Sequence, residues 1–318
     1  MPTVISRRAP WYVGAALSCI ASGSAIGQSK SEPAIVGRWD LRVTDARGAA
    51  YPSWLEVTLS GNHTLVGRFV GRVGSSRPVS RVLFDAGSVR FAIPPQWDRD
   101  TADLRFDGHV EGDELVGTIT NPNGRSDTFT GTRAPGLIRP TPRWGDDIAL
   151  FDGTSLAGWK TEGGQGQWTV NNGILTSARS GANLVTDRTF TDFKLHVEFR
   201  YPRNGNSGVY LRGRYEVQIE DTPRREVPLA IDIGGVYGFL PPNEIAATGP
   251  GQWQTYEITL VGRRVTVVLN GRTIIADQLI PGPTGGALDS DEAAPGPILL
   301  QGDHTPIEFR VIRIIPAR

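Results

Sequence analysis

Apolar and polar residues alternate with a period of two along most of this chain, and that period sends successive side chains to opposite faces of a strand. Between Gly37 and Arg133 the pattern predicts about eight short strands: WDLRV, WLEVTL, TLVGRFV, VSRVLF, SVRFAI, ADLRFDGHV, ELVGTIT and DTFTGTR. Turn signals at Gly61-Asn62, Gly112-Asp113 and Asn123-Gly124 separate them. Strands at this spacing make a small antiparallel up-and-down barrel or sandwich, here residues 34–133. The stretch APGLIRPTPRWGD (Ala134–Asp146) breaks the alternation with proline and glycine and reads as an extended linker, with few contacts crossing it. From Asp147 to Arg318 longer alternating runs return, with hairpin turns at Asn171-Asn172-Gly173, Gly262-Arg263 and Asn270-Gly271, and predict an antiparallel sandwich. With 39 Gly, 23 Pro and almost no sustained helical period, the whole chain reads as all-β.

The densest segment is NSGVYLRGRYEVQIED, Asn206–Asp221. Within it Tyr215, Val217 and Ile219 alternate with Glu216, Gln218 and Glu220, so one face builds a core and the other carries two carboxylates and an amide. Such a row suits a sugar-binding groove, where hydroxyls meet acceptors and a reaction finds an acid and a base; it also suits the solvated outer face of an antiparallel sheet.

Charge narrows the partners. Lys+Arg and Asp+Glu both number 33, so nothing favours nucleic acid or an anionic membrane. At the amino terminus Arg7 and Arg8 precede an apolar run from Trp11 to about Ala21 and a small-residue end at Gly27, the layout of a secretory signal over residues 1–27. Export to the periplasm or medium is the expectation, and Ser6-Arg7-Arg8 also fits a twin-arginine signal. The one cysteine, Cys19, falls inside this segment, which excludes thiol catalysis in a processed chain. No later apolar run reaches the length of a membrane span.

Five stretches carry a resemblance: LFDGTSLAGW, NSGVYLRGRYEVQIED, GQWQTYEI, VVLNG and PGPILLQGDHTPIEFRVIRI, in this order through residues 147–318. They resemble the 3-keto-disaccharide hydrolase family, which implies a concanavalin A-like jelly-roll sandwich. Gly37-Arg38-Trp39 resembles the start of lipocalin-type barrels, with no function attached. The resemblance implies a sugar bearing a ketone at C3, cleaved by removing the C2 hydrogen, eliminating the C1 substituent and adding water. It implies Glu216, Gln218, Glu220, Asp221, His304 and Glu308 as the polar positions; of the candidates, Glu216, Glu220 and His304 are read as catalytic, and Asn206, Arg212, Gln218, Asp221, Tyr237, Trp253, Gln301, Asp303 and Glu308 as substrate-binding. Alternatives from other classes are a carbohydrate-binding module without catalysis, a scaffold or adhesion protein, and a laminarinase-like hydrolase. The last normally has an acid where Gln218 stands.

Several of these residues have two readings. His304, in Gly302-Asp303-His304, titrates in the neutral range as a base or acid, or sits as a loop histidine bonded to backbone. Arg212 and Arg214 bind an enolate or pair with Glu216 and Glu220; Tyr237 and Trp253 stack on a sugar or fill the core. His63, His109 and His196 read as structural. Asp289, Asp291 and Glu292 lie in a Gly/Pro-flanked loop that reads as solvated charge, with a lid or metal-binding loop as the other option. The sequence requires no cofactor; oxygen ligands of this kind suit Ca²⁺, Mg²⁺ or Mn²⁺.

Overall fold

The structure, a computed structural model, describes residues 32–97, 99–223 and 225–318. The expected export segment, with Cys19, lies outside them. Eight strands come first: β1 (Gly37–Thr44), β2 (Ala50–Ser60), β3 (Thr64–Val70), β4 (Arg77–Asp85), β5 (Ser88–Ile93), β6 (Leu104–Glu111), β7 (Glu114–Thr120) and β8 (Ser126–Arg133). Each pairs antiparallel with the next, and β8 returns to β1 to close a barrel, which removes the open edges. Its inside is packed with aromatic rings: Phe106 stacks on Phe91 and on Phe129, each at 4.5 Å between centroids. Gly117 makes room for this stack, since a Cβ there would lie 2.9 Å from the Phe129 ring.

Thirteen strands follow: β9 (Ile148–Phe151), β10 (Trp159–Glu162), β11 (Trp168–Asn171), β12 (Ile174–Ser177), β13 (Asn183–Thr186), β14 (Phe193–Arg200), β15 (Asn206–Leu211), β16 (Tyr215–Glu220), β17 (Gln254–Val261), β18 (Arg264–Leu269), β19 (Arg272–Leu279), β20 (Leu299–Leu300) and β21 (Ile307–Pro316). They form a five-stranded sheet in the order β10-β13-β20-β15-β16 and an eight-stranded sheet in the order β11-β12-β21-β14-β17-β18-β19, with β9 on β21. The inward residues of both sheets, among them Val209, Val217, Ile219, Phe199, Tyr256, Val267 and Phe309, make one core. The molecule is all-β, a closed barrel followed by a jelly-roll-like sandwich, as the alternation and the resemblance led one to expect. No helix among the described residues is long and apolar enough to cross a membrane.

Few contacts were expected across the linker, and here the structure differs. Residues 33–318 form one compact unit. Trp54 and Val70, from β2 and β3, join the core of the sandwich, and the Trp54 indole packs edge-on against Phe239 at 5.4 Å. Arg38 on β1 donates to the Pro281 carbonyl at 2.7 Å and pairs at 3.2 Å with Glu292. Glu292 is fully buried and also accepts from the Tyr215 hydroxyl at 2.7 Å, so this residue is an anchor rather than solvated loop charge. Asp40 on β1 lies against it with Oδ1 buried and without a donor among the described residues. Burial, then the neighbouring Glu292 charge, pushes the Asp40 carboxyl well up, which favours its protonated form. The physical reason for the close fit is that a proline-rich segment sets spacing, not separation: outward apolar side chains on the barrel strands still seek a partner surface.

Candidate active site

The β15–β16 hairpin turns at Arg212 and Gly213, both at positive φ (53° and 66°). Its register sets Tyr210 opposite Glu216, Gly208 opposite Gln218, and Asn206 opposite Glu220. Since Val209, Val217 and Ile219 face the core, these six residues line the outer face of the five-stranded sheet. The Glu216 carboxyl lies over Gly208, where a Cβ would stand 2.4 Å from Oε1. Any larger residue at 208 would push the carboxyl aside.

This outer face is not solvated. Glu216 and Gln218 are each only 3% exposed, because the segment after β16 folds back over the strand edge. Gln218 N donates to Gly235 O, Gly234 N to Gln218 O, and Tyr237 N to Glu216 O, at 2.9, 2.9 and 3.0 Å. That wrap brings Tyr237 beside Glu216 and Glu220; burial, then those two charges, raises its hydroxyl's pKa. From the other side, Gln301 N donates to Gly208 O at 2.9 Å and leads into Asp303 and His304. The Gln301 side-chain oxygen is buried and has no donor among the described residues, which leaves an acceptor for a ligand hydroxyl.

Electrostatics mark out the same cluster. Burial pushes the Glu216 carboxyl up to about 8, Asp303 and Glu220 add to the rise, and the Tyr210 hydroxyl and His304 oppose it. His304 Nδ1 is 2.7 Å from Asp303 Oδ1. That bond raises the imidazole above its ordinary value against the effect of burial, and the charges of Asp303 and Glu216 raise it further. Glu220 is raised mainly by burial, then by Asp232, and Arg225 reaches Asp232 at 3.3 Å. Burial thus favours the neutral form of the Glu216 carboxyl on the face that also carries the histidine–aspartate pair.

The other sequence-derived positions divide. Asn206 is tied through its backbone to Thr305 and sits at the end of the row near His304. Asp221, just beyond that same end, accepts from Asn204 N at 2.8 Å. Arg212 is not a substrate-binding residue: it is 0% exposed, and the turn sends its guanidinium under the sheet to Tyr215 Oη, Glu292 O and Gly262 O. Arg214 is likewise taken up, by Asp289 at 2.6 Å. Trp253 and Glu308 belong to the opposite outer face. Glu308 on β21 pairs with Arg200 at 2.6 Å, and Trp253 lies between the Arg200 and Arg310 guanidinium groups at 4.8 and 4.5 Å. Their positions next to matched motifs gave no information about which sheet they sit on. His196 bridges Glu257 and Glu198 on that same eight-stranded sheet. Tyr210, which sequence reasoning passed over, donates to Glu216 at 2.9 Å; pairing the hairpin across Arg212-Gly213 would have found it. Among the described residues no group of three or more His, Cys, Asp or Glu is arranged to hold a metal ion.

Residues 146–315 match the family model described as the 3-keto-alpha-glucoside-1,2-lyase-like domain. The chain belongs to this family. Its members are defined by a carbohydrate-acting domain, and the polar face around Glu216 lies within the matched residues. No curated protein matches the sequence. Solved structures similar to it include a proposed glycosyl hydrolase from Parabacteroides distasonis, 31% identical over 56% of this chain and 91% of that one, with a TM-score of 0.47. A second proposed glycosyl hydrolase from that organism is 18% identical over 54% and 94%, with a TM-score of 0.44. The carbohydrate-binding module CBM66 from Bacillus subtilis is 11% identical over 50% and 92%, with a TM-score of 0.30.

Proposed function

We propose that this face cleaves 3-keto-glycosides or 3-keto-disaccharides by elimination and hydration. A ketone at C3 acidifies the C2 hydrogen. A base takes that proton and leaves the electron pair as a C2–C3 enolate; the C3 carbonyl then re-forms, a C1–C2 double bond appears and the C1–O bond breaks. The departing oxygen takes a proton from an acid. Water then adds its oxygen to C1 and C2 regains a proton, so the net change is hydrolysis, with no oxidant consumed. Neutral His304 is the base: Asp303 holds its Nδ1–H and leaves Nε2 free to accept. Neutral Glu216 is the acid for the leaving oxygen, and the Tyr237 hydroxyl donates to the enolate at O3. Gln218 and Gln301 hold sugar hydroxyls. Export over residues 1–27 places this chemistry in the periplasm or medium, and intact mass of the mature protein should begin near Gln28.

The observation that carries the reading is the buried Glu216, its carboxyl raised by burial to about 8, on the same face as the His304–Asp303 pair. A retaining glycosidase needs carboxyl groups about 5–5.5 Å apart, whereas Glu216 and Glu220, four residues apart on one strand, are roughly 13 Å apart at Cα. A carbohydrate-binding module has no use for a neutral acid. Incubation with 3-keto-trehalose and 3-keto-lactose in heavy water should give turnover with deuterium at C2 of the released keto sugar, and no cleavage of the parent disaccharides. Cleavage of the parent sugars without C2 label would point to displacement at C1, and binding without turnover to a binding module.

A further inference from the structure

The barrel reaches Glu216 through two other residues. The Tyr210 hydroxyl lies 2.9 Å from Glu216 Oε2 and 3.0 Å from the Gly285 carbonyl oxygen. It has one proton and two neighbours that can accept it. With Glu216 neutral, the bonds run from Glu216 to Tyr210 to Gly285. With Glu216 ionised, Tyr210 turns its proton to the carboxylate and Gly285 loses its donor. Gly285 in turn rests on the barrel: a Cβ there would lie 2.2 Å from Gly74 O and 2.8 Å from Gly74 N. Its neighbour Gly286 donates to Arg72 O at 3.1 Å. The same barrel segment also touches the wrapped segment that carries Tyr237, where a Cβ on Gly238 would lie 2.7 Å from Ser76 N.

We propose that the barrel segment 71–76, between β3 and β4, is a positioning element of the active site. It holds the Gly285 carbonyl where it takes the Tyr210 proton, which keeps Tyr210 available as an acceptor for neutral Glu216. This inference rests on the reading of Glu216 as the acid. The titratable groups that face Glu216 are Tyr210 on β15, Tyr237 in the wrapped segment, Asp303 and His304 beyond β20, and Glu220 on its own strand. The barrel acts on them through backbone, not through charge.

The test uses the full chain with ¹³C-labelled glutamate carboxyls, the Glu216 signal assigned by its loss in Glu216→Gln, titrated without substrate. Gly285→Ala lifts the carbonyl away, so the Tyr210 proton commits to the Glu216 carboxylate and the Glu216 midpoint falls by about one pH unit. Tyr210→Phe takes a donor from the carboxylate while burial remains, so the midpoint rises by about as much. The alkaline limb of the kcat profile should move with each. Opposite shifts support the proposal; unmoved midpoints, or shifts of one sign, overturn it. If Gly285→Ala fails to fold, the near-isosteric Tyr210→Phe still decides, since a midpoint that does not rise overturns the proposal. Absence of turnover on 3-keto sugars would defeat the catalytic reading, while the midpoints would still judge the positioning.

Discussion

A glutamate facing water ionises near its ordinary value, and Glu216 does not, because the wrapped segment and the Tyr210 ring remove its water. Glu216→Gln and His304→Ala should each lower turnover of a 3-keto-disaccharide by about 10²–10⁴ with much smaller effects on binding; steady-state kinetics on matched variants checks this. The pH profile follows from the signs. His304 must be neutral, so activity rises above the histidine's raised pKa; Glu216 must be protonated, so activity falls again at about 8. A bell-shaped profile is expected, and Glu216→Gln should abolish its falling limb. At this scale the sequence was informative about facing and silent about depth. The alternation in Tyr215–Glu220 sets which side chains leave the core, but burial of Glu216 depends on residues some twenty positions later, which no local period reports.

The β15–β16 hairpin shows where local pattern misleads. Arg212, next to the polar row in sequence, adopts φ 53° and buries its guanidinium among three oxygen acceptors. Arg212→Ala should therefore cost roughly 1–3 kcal/mol by leaving the buried Glu292 and Gly262 carbonyls without their donor, measured by urea unfolding, and should lower activity only as far as the hairpin loosens. Trp253 and Glu308 missed the Glu216 face for a related reason. Alternation assigns a residue to an inside or an outside, and a two-sheet sandwich has two outsides; sheet order, a long-range property, decides between them.

In the whole molecule the barrel and sandwich share a core and a buried acid pair, so the fragment 147–318 alone should unfold at lower temperature than the full chain and lose turnover, with Phe239 and Glu292 uncovered. Calorimetry and activity on the fragment check both. The Asp40 carboxyl is raised in the folded state relative to the unfolded one, so its contribution is complete in acid and is lost as pH climbs toward the alkaline side. Asp40→Asn should flatten that decline, and urea midpoints at pH 5, 7 and 9 would show the variant gaining on the parent as pH rises. The eightfold strand pattern and the linker made the barrel and sandwich legible in the sequence; their apposition was not, because Trp54 and Val70 look like any outward apolar residue until a partner surface is known. The segment wrapped over β16 has one more role. By occupying the backbone groups of an edge strand it keeps that edge from pairing with another molecule, and it is also the segment that presents Tyr237. Attempts to broaden what the Glu216 face accepts by loosening this segment should therefore meet a solubility limit before an activity limit, with aggregation at the β16 edge as the first sign.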